Sequence, residues 1–141
     1  MDFIFDKEKL KELNQVISLY KKFDRYEDAT REELFYHLLP SFKVNQYKTI
    51  KEDDKVIAFA NWAMLNKQAE DEYIKTGDFA DDAWQSGFRT WIIDVVSEKD
   101  TIKIGNWIRW FFKKFMLKGE TLKWMRSDNK FKVYRLGKRE Y

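Results

Sequence analysis

The sequence predicts one α/β domain with a mixed, partly antiparallel sheet and helices on both faces. Three observations carry this. Segments of helical period alternate with short runs rich in β-branched and aromatic residues. The run Val56-Ile57-Ala58-Phe59-Ala60-Asn61-Trp62-Ala63-Met64 is apolar enough to be a central strand. Residues 88–96, 101–117 and 121–126 then read as strand, helix and strand, a βαβ-like crossover. The 141 residues contain no internal repeat and no low-complexity linker, so one domain, 1–141, is expected.

Taken in order, residues 6–22 set Leu10, Leu13, Val16, Ile17 and Tyr20 at helical spacing among Lys and Glu. Phe23 to Ala29 is a polar break. Thr30 and Glu33 form a capping box, opening a second helix through Leu34, Phe35, Leu38 and Leu39. Pro40, the only proline, should end or kink it, with room for one further turn over 41–45. Residues 46–51 and 56–64 read as a hairpin about the turn 52–55. Residues 66–76 form an acidic helix closed by Gly77, and 77–87 a connector with a short helical turn. Asp100 is the expected N-cap of the long helix 101–117. Residues 121–126 and 130–136 are short strands about a Ser127-Asp128-Asn129 turn, and 137–141 a frayed tail.

Composition removes several kinds of chemistry. There is no cysteine, which excludes disulfides, thiolate metal sites and thiol nucleophiles. His37 is the only histidine, so no His-rich metal site exists and no metal is expected. No run approaches the ~20 apolar residues of a membrane span. The N-terminus lacks the basic region and long apolar stretch of a signal peptide, so a cytoplasmic protein is expected. The net charge of +3 conceals an asymmetry. Residues 101–141 hold twelve Lys or Arg against three Asp or Glu, and residues 1–100 are net acidic. A basic C-terminal region suits an anionic partner, either an acidic protein or nucleic acid. Lys123-Trp124-Met125-Arg126 and Lys130-Phe131-Lys132 interleave cations with aromatics, as single-strand binders do. Simple strand alternation gives the same pattern. The aromatic helix 101–117 also admits a homodimer.

One residue breaks the apolar pattern. Asp94 stands inside Trp91-Ile92-Ile93-Asp94-Val95-Val96. It either sits at a bend reached by water, paired with Arg89 or an amide, or is held in a site. Desolvation between apolar neighbours would raise its pKa.

No Gly-rich phosphate loop is present. Leu39-Pro40, Asn45-Gln46-Tyr47, the strand 56–63 and the block Asp82-Ala83-Trp84-Gln85-Ser86-Gly87-Phe88-Arg89-Thr90-Trp91-Ile92-Ile93-Asp94 resemble, in kind, order and spacing, the toxin-activating lysine acyltransferases that mature RTX haemolysins. The resemblance covers roughly residues 34–96. It implies an N-acetyltransferase-like (GNAT) fold and transfer of a fatty acyl group from acyl carrier protein to a target-protein lysine. It also implies a catalytic pair: an Asp, matched by Asp94, and a His between the first two helices. Aligned without gaps back from Pro40, the His position falls on Tyr26, so the expected histidine is missing there. His37 lies eleven residues later and is a weaker candidate. Trp84, Ser86 and Arg89 of the block are candidates for substrate binding. Lys113, Lys114, Lys118, Lys123 and Arg126 are candidates for docking the acidic carrier. Where many acetyltransferases bind the pyrophosphate of coenzyme A, this chain reads Ser97-Glu98-Lys99-Asp100-Thr101, and two acids there disfavour coenzyme A. The alternative is a relative without activity, for example phage-encoded, that binds protein or nucleic acid through its basic region.

Overall fold

The computed structural model describes residues 5–98, 101–127 and 133–141, with backbone alone at 101, 102, 104, 126, 127 and 133–137. Among the described residues, four α-helices and five strands follow in the expected order. They are α1 (Lys7–Tyr20), α2 (Arg31–Lys43), β1 (Tyr47–Glu52), β2 (Lys55–Leu65), α3 (Lys67–Thr76), β3 (Arg89–Ser97), α4 (Thr101–Phe115), β4 (Thr121–Ser127) and β5 (Val133–Glu140). The expected cap Asp100 and most of the turn at 127–129 lie outside the described residues.

Local chemistry sets the boundaries. The Asp6 carboxylate accepts from the Lys9 amide and starts α1. Thr30 and Glu33 form both halves of the capping box on α2. Pro40 does not end α2, which runs through it to Lys43. The carbonyl that loses its donor belongs to Tyr36, and the helix continues without that one bond. Asp53 and Asp54 both take positive φ, 53° and 62°, between the paired residues Glu52 and Lys55. This is the two-residue hairpin turn whose twist suits β1 and β2. Gly77 ends α3 at φ 79°.

The strands lie in sequence order in one sheet, antiparallel except for the parallel pair β3 and β4. That parallel pair requires the crossover through α4. Alternation along β2 divides the core. Phe59 faces a cluster with Leu13, Val16, Tyr20, Leu34, Leu38 and Phe42 of α1 and α2. Ala63 and Leu65 join Tyr73 of α3, Phe79, Trp84 and the fully buried Trp91. Trp62 packs with Ile92, Leu122 and Phe112 and Met116 from the α4 side. Helices therefore cover both faces. Residues 137–140, expected to fray, instead extend β5. Trp124 pairs Gly137 and Thr121 pairs Glu140, and the Tyr141 amide donates to the Glu120 carbonyl. Backbone pairing holds this polar segment without help from an apolar pattern. Among the described residues, no helix is long and apolar enough to cross a membrane.

The block 84–87 clamps the end of β2. The Met64 amide donates to the Trp84 carbonyl, the Gly87 amide to the Met64 carbonyl, and the Asn66 amide to Ser86 Oγ. Gln46 reaches across from the foot of α2, and its Nε2 donates to the carbonyls of Trp62 and Trp84. Gly87 lies so close to β2 that a Cβ there would stand 2.6 Å from the Leu65 carbonyl oxygen and 2.7 Å from the Asn66 backbone. Backbone on both sides cannot give way cheaply. Gly87→Ala is expected to lower stability by about 1–3 kcal/mol, measured by urea denaturation, while Gly77→Ser, where space is open, acts only through its positive φ.

Candidate functional site

The site begins with an irregularity in the sheet. Asn61 pairs Asp94, but the next residue, Trp62, pairs Ile92. Ile93 is therefore an extra residue on β3. A bulge of this kind bends the strand and re-aims its side chains. Here it lets Ile92 serve the α4 face while Asp94 turns towards α1 and α2. The Asp94 amide donates to Asn61 Oδ1 at 2.8 Å, and Asn61 Nδ2 donates to Ser41 Oγ at 3.2 Å. Ser41 Oγ donates in turn to the Leu38 carbonyl. Asn61 and Ser41 are both buried, so this chain fixes the bulge to α2.

The Asp94 carboxylate receives two side chains on one oxygen. Tyr20, the last residue of α1, donates its hydroxyl to Oδ2 at 2.7 Å. His37 Nε2, from the middle of α2, also lies 2.7 Å from Oδ2. The Asp94 side chain is 15% exposed and that of His37 45%. Burial is the strongest single influence on Asp94 and pushes its pKa up. The hydrogen bond and charge of His37, then the Tyr20 hydroxyl, outweigh it, and the carboxyl ends below its ordinary range. Burial likewise pulls His37 down, and the hydrogen bond and charge of Asp94 reverse this, leaving it above 6.5. Tyr20 is pushed well above 10 by burial and by the Asp94 charge, so it stays protonated and remains a donor. When Nε2–H faces Asp94, the second ring nitrogen of His37 is left to exchange a proton with another group.

The pair opens onto a cleft of about 920 Å³. Its origin lies in the parallel strands. β3 and β4 pair from Thr90 with Leu122 to Ile92 with Trp124, and no further. β3 continues to Ser97 and β4 to Ser127, so the strands separate just where the bulge occurs. Ile93, Asp94 and Val95 line one side of the gap, and Trp124 and Met125 the other. Arg25, Arg109 and Arg139 stand at the cleft, as do Asp78 and Asp81. It is thus apolar along its sheet walls and charged among the residues around them.

The sequence-predicted residues divide around this geometry. Asp94 and His37 come together. Tyr26 lines the same cleft, with its ring 4.8 Å from that of Tyr20. Burial and then the Asp94 charge raise its pKa, which takes a phenol further from acting as a base. Trp84 also lines the cleft. Ser86 and Arg89 do not. Ser86 holds the turn before α3, and Arg89 Nε lies 3.5 Å from Glu70 Oε1. Lys123 is engaged by the same buried acid, at 3.0 Å from Oε2, which also accepts from Trp91 Nε1 at 2.7 Å. Lys113, Lys114 and Lys118 are exposed, and Lys114 lies 4.1 Å from the Trp110 ring centre. The Arg126 side chain lies outside the described residues. Tyr20 was read only as a core position. Its signal was a phenol, not a Phe, on the buried stripe of an amphipathic helix, since a buried hydroxyl needs a partner.

Comparison with known proteins agrees with this architecture. The profile of the RTX toxin acyltransferase family matches residues 6–135. A leukotoxin-activating lysine-acyltransferase of Mannheimia haemolytica is 39% identical over 62 residues, which is 43% of this chain and 37% of that protein. An RTX-I toxin-activating lysine-acyltransferase of Actinobacillus pleuropneumoniae is 38% identical over 65 residues, 45% of this chain and 38% of that protein. A protein-lysine myristoyltransferase of Escherichia coli is 36% identical over 63 residues, 43% of this chain and 36% of that protein. The matched segments span well under half the length of these curated relatives. With the family profile covering nearly all of the sequence, the chain belongs to the RTX toxin acyltransferase family.

Proposed function

We propose that this chain is a protein lysine acyltransferase that moves an acyl group from an acyl carrier protein thioester to the ε-amine of a lysine on a target protein. The single observation that carries the reading is the Asp94–His37 pair, set at the mouth of an apolar gap between two separating strands. In the reaction the lysine nitrogen attacks the thioester carbonyl carbon. His37 takes a proton from that nitrogen through the ring atom not facing Asp94, and Asp94 stabilises the imidazolium. Collapse of the tetrahedral intermediate expels the carrier thiolate, which leaves with a proton. The products are an amide and a free thiol, so no further reactant is needed. The acyl chain would lie against Ile93, Val95 and Trp124 along the gap.

Carrier protein as donor is favoured over coenzyme A because the segment Ser97 to Thr101 holds no glycine with which to build a pyrophosphate loop. For docking an acidic carrier, the exposed Lys113, Lys114 and Lys118 remain the better candidates. Lys123 is already committed to Glu70.

The test is intact-mass spectrometry of candidate target proteins incubated with this chain and acyl carrier protein thioesters. Wild type adds one acyl mass; Asp94→Ala and His37→Ala each slow transfer by about 10²–10⁴-fold. No transfer by wild type, or equal transfer by Asp94→Ala, overturns the reading. Nucleic-acid binding in place of transfer, with affinity falling steeply in salt, would select the non-catalytic alternative.

Two further outcomes follow. Reversing Lys113, Lys114 and Lys118 to Glu raises KM for the carrier several-fold at low salt, and the effect fades as salt screens it. The pair also has a signed pH dependence. His37, raised on folding, stabilises the fold below its unfolded value of ~6.5, and this is lost as pH rises through its folded value. Asp94, lowered on folding, stabilises above its unfolded value of ~3.9, and this is lost as pH falls through its folded value. The melting-temperature gap between wild type and His37→Gln is therefore widest between these limits, near pH 5, and narrows towards pH 9.

A further inference from the structure

We propose that Tyr20 is a positioning residue for the Asp94–His37 pair, fixing through Oδ2 the orientation and the charge that the carboxylate presents to the imidazole. Its consequence for catalysis rests on the acyltransferase reading above; its geometry and its first test do not.

The phenol ring is fully buried and held on several sides. Phe59 meets it edge-on at 5.8 Å, Tyr26 lies at 4.8 Å and His37 at 6.1 Å. These contacts use the ring alone, and phenylalanine would supply them. The hydroxyl has a separate purpose, because a buried hydroxyl is costly unless it is bonded. Its acceptor is Asp94 Oδ2 at 2.7 Å, the same atom that His37 approaches. Two donors on one oxygen share its charge. The phenol thus withdraws part of the carboxylate's pull on the imidazole, and its rigid ring fixes the direction from which Oδ2 is shared. Without it, Asp94 would turn its charge more fully on His37 and hold the imidazole in its protonated, non-basic form.

The other titratable and charged groups facing the pair are Arg25 and Tyr26 from the turn between α1 and α2, Tyr73 on α3, and Asp78 just beyond α3. Arg25 opposes protonation of His37 and Asp78 favours it. Both charges stay in place in Tyr20→Phe, so that substitution removes the hydroxyl alone.

The experiment uses the single imidazole. With one histidine in 141 residues, the carbon-bound ring protons of His37 titrate without assignment ambiguity by NMR. Tyr20→Phe is expected to move the His37 midpoint upward by roughly half a pH unit. 3-Fluorotyrosine introduced at position 20 is a stronger donor of nearly the same shape, and it should move the midpoint down. It also keeps the test alive if Tyr20→Phe fails to fold. In an Asp94→Asn background, Tyr20→Phe should leave the midpoint in place, because the route through the carboxylate is gone. In the transfer assay the acid limb of the pH–rate profile should move with the midpoint. An unchanged midpoint with 3-fluorotyrosine, or an equal shift in the Asp94→Asn background, overturns the proposal. The expected midpoint shifts with no acyl transfer by wild type would uphold the positioning role and count against the acyltransferase reading alone.

Discussion

The site and its cleft depend on how one carboxylate is kept charged inside a sheet. An ionised acid flanked by Ile93 and Val95 would neutralise itself if desolvation acted alone. Two donors at 2.7 Å reverse that outcome, and they come from different helices. The site thus requires the end of α1 and the middle of α2 to converge on one point of β3. The Asn61–Ser41 link fixes the backbone at that point to α2 as well. Packing of the first two helices on the sheet is therefore also assembly of the site. A substitution that shifts α2 by an ångström would uncouple His37 from Asp94 before it exposed the core.

The bulge at Ile93 connects this electrostatic centre with the cleft. An unbroken β3 would put Asp94 on the α4 side, among Trp62, Phe112 and Met116 and away from Tyr20 and His37. One extra residue sends it to the other face and at the same place ends pairing with β4. Acid placement and strand separation are then two results of one backbone irregularity. The surrounding motif residues serve that irregularity. Gln46 satisfies the carbonyls of Trp62 and Trp84, and Gly87 lets the connector lie against β2. Most of the block from Asp82 to Asp94 is scaffold whose purpose is to present its last residue.

The order of elements was legible because periodicity, caps and turns all act locally. The capping box at Thr30, the positive-φ pair Asp53 and Asp54, and Gly77 each mark a boundary by its own chemistry. Family resemblance reached Asp94. The partner was harder to see. Expecting Pro40 to end or kink α2 hid the fact that His37 and Ser41 are four residues apart on one continuous helix, and so lie on the same face. With the helix continued, His37 falls three residues after the buried Leu34, and one turn before Ser41, which holds the bulge. That spacing was the available signal. The setting of Arg89 and Lys123 was hidden in the same way. Both pair with Glu70, a buried acid on a helix whose sequence reads only as acidic.

Alignment sets Tyr26 where relatives are expected to carry their histidine, yet the chemistry asks only for an imidazole beside the carboxylate. The turn between α1 and α2 and the middle of α2 both border the space around Asp94. Tyr26 occupies the first approach, packed on Tyr20, and His37 the second. A base can enter such a space from either direction provided the carboxylate is held still while it does. Tyr20 supplies that hold from a third direction, with an atom whose proton does not leave at neutral pH. The absence of histidine from residues 23–30 therefore does not remove the base from the fold. In the proposed mechanism it changes the element that carries the base, and makes the register of α2, not the conformation of the turn before it, the feature on which transfer would depend.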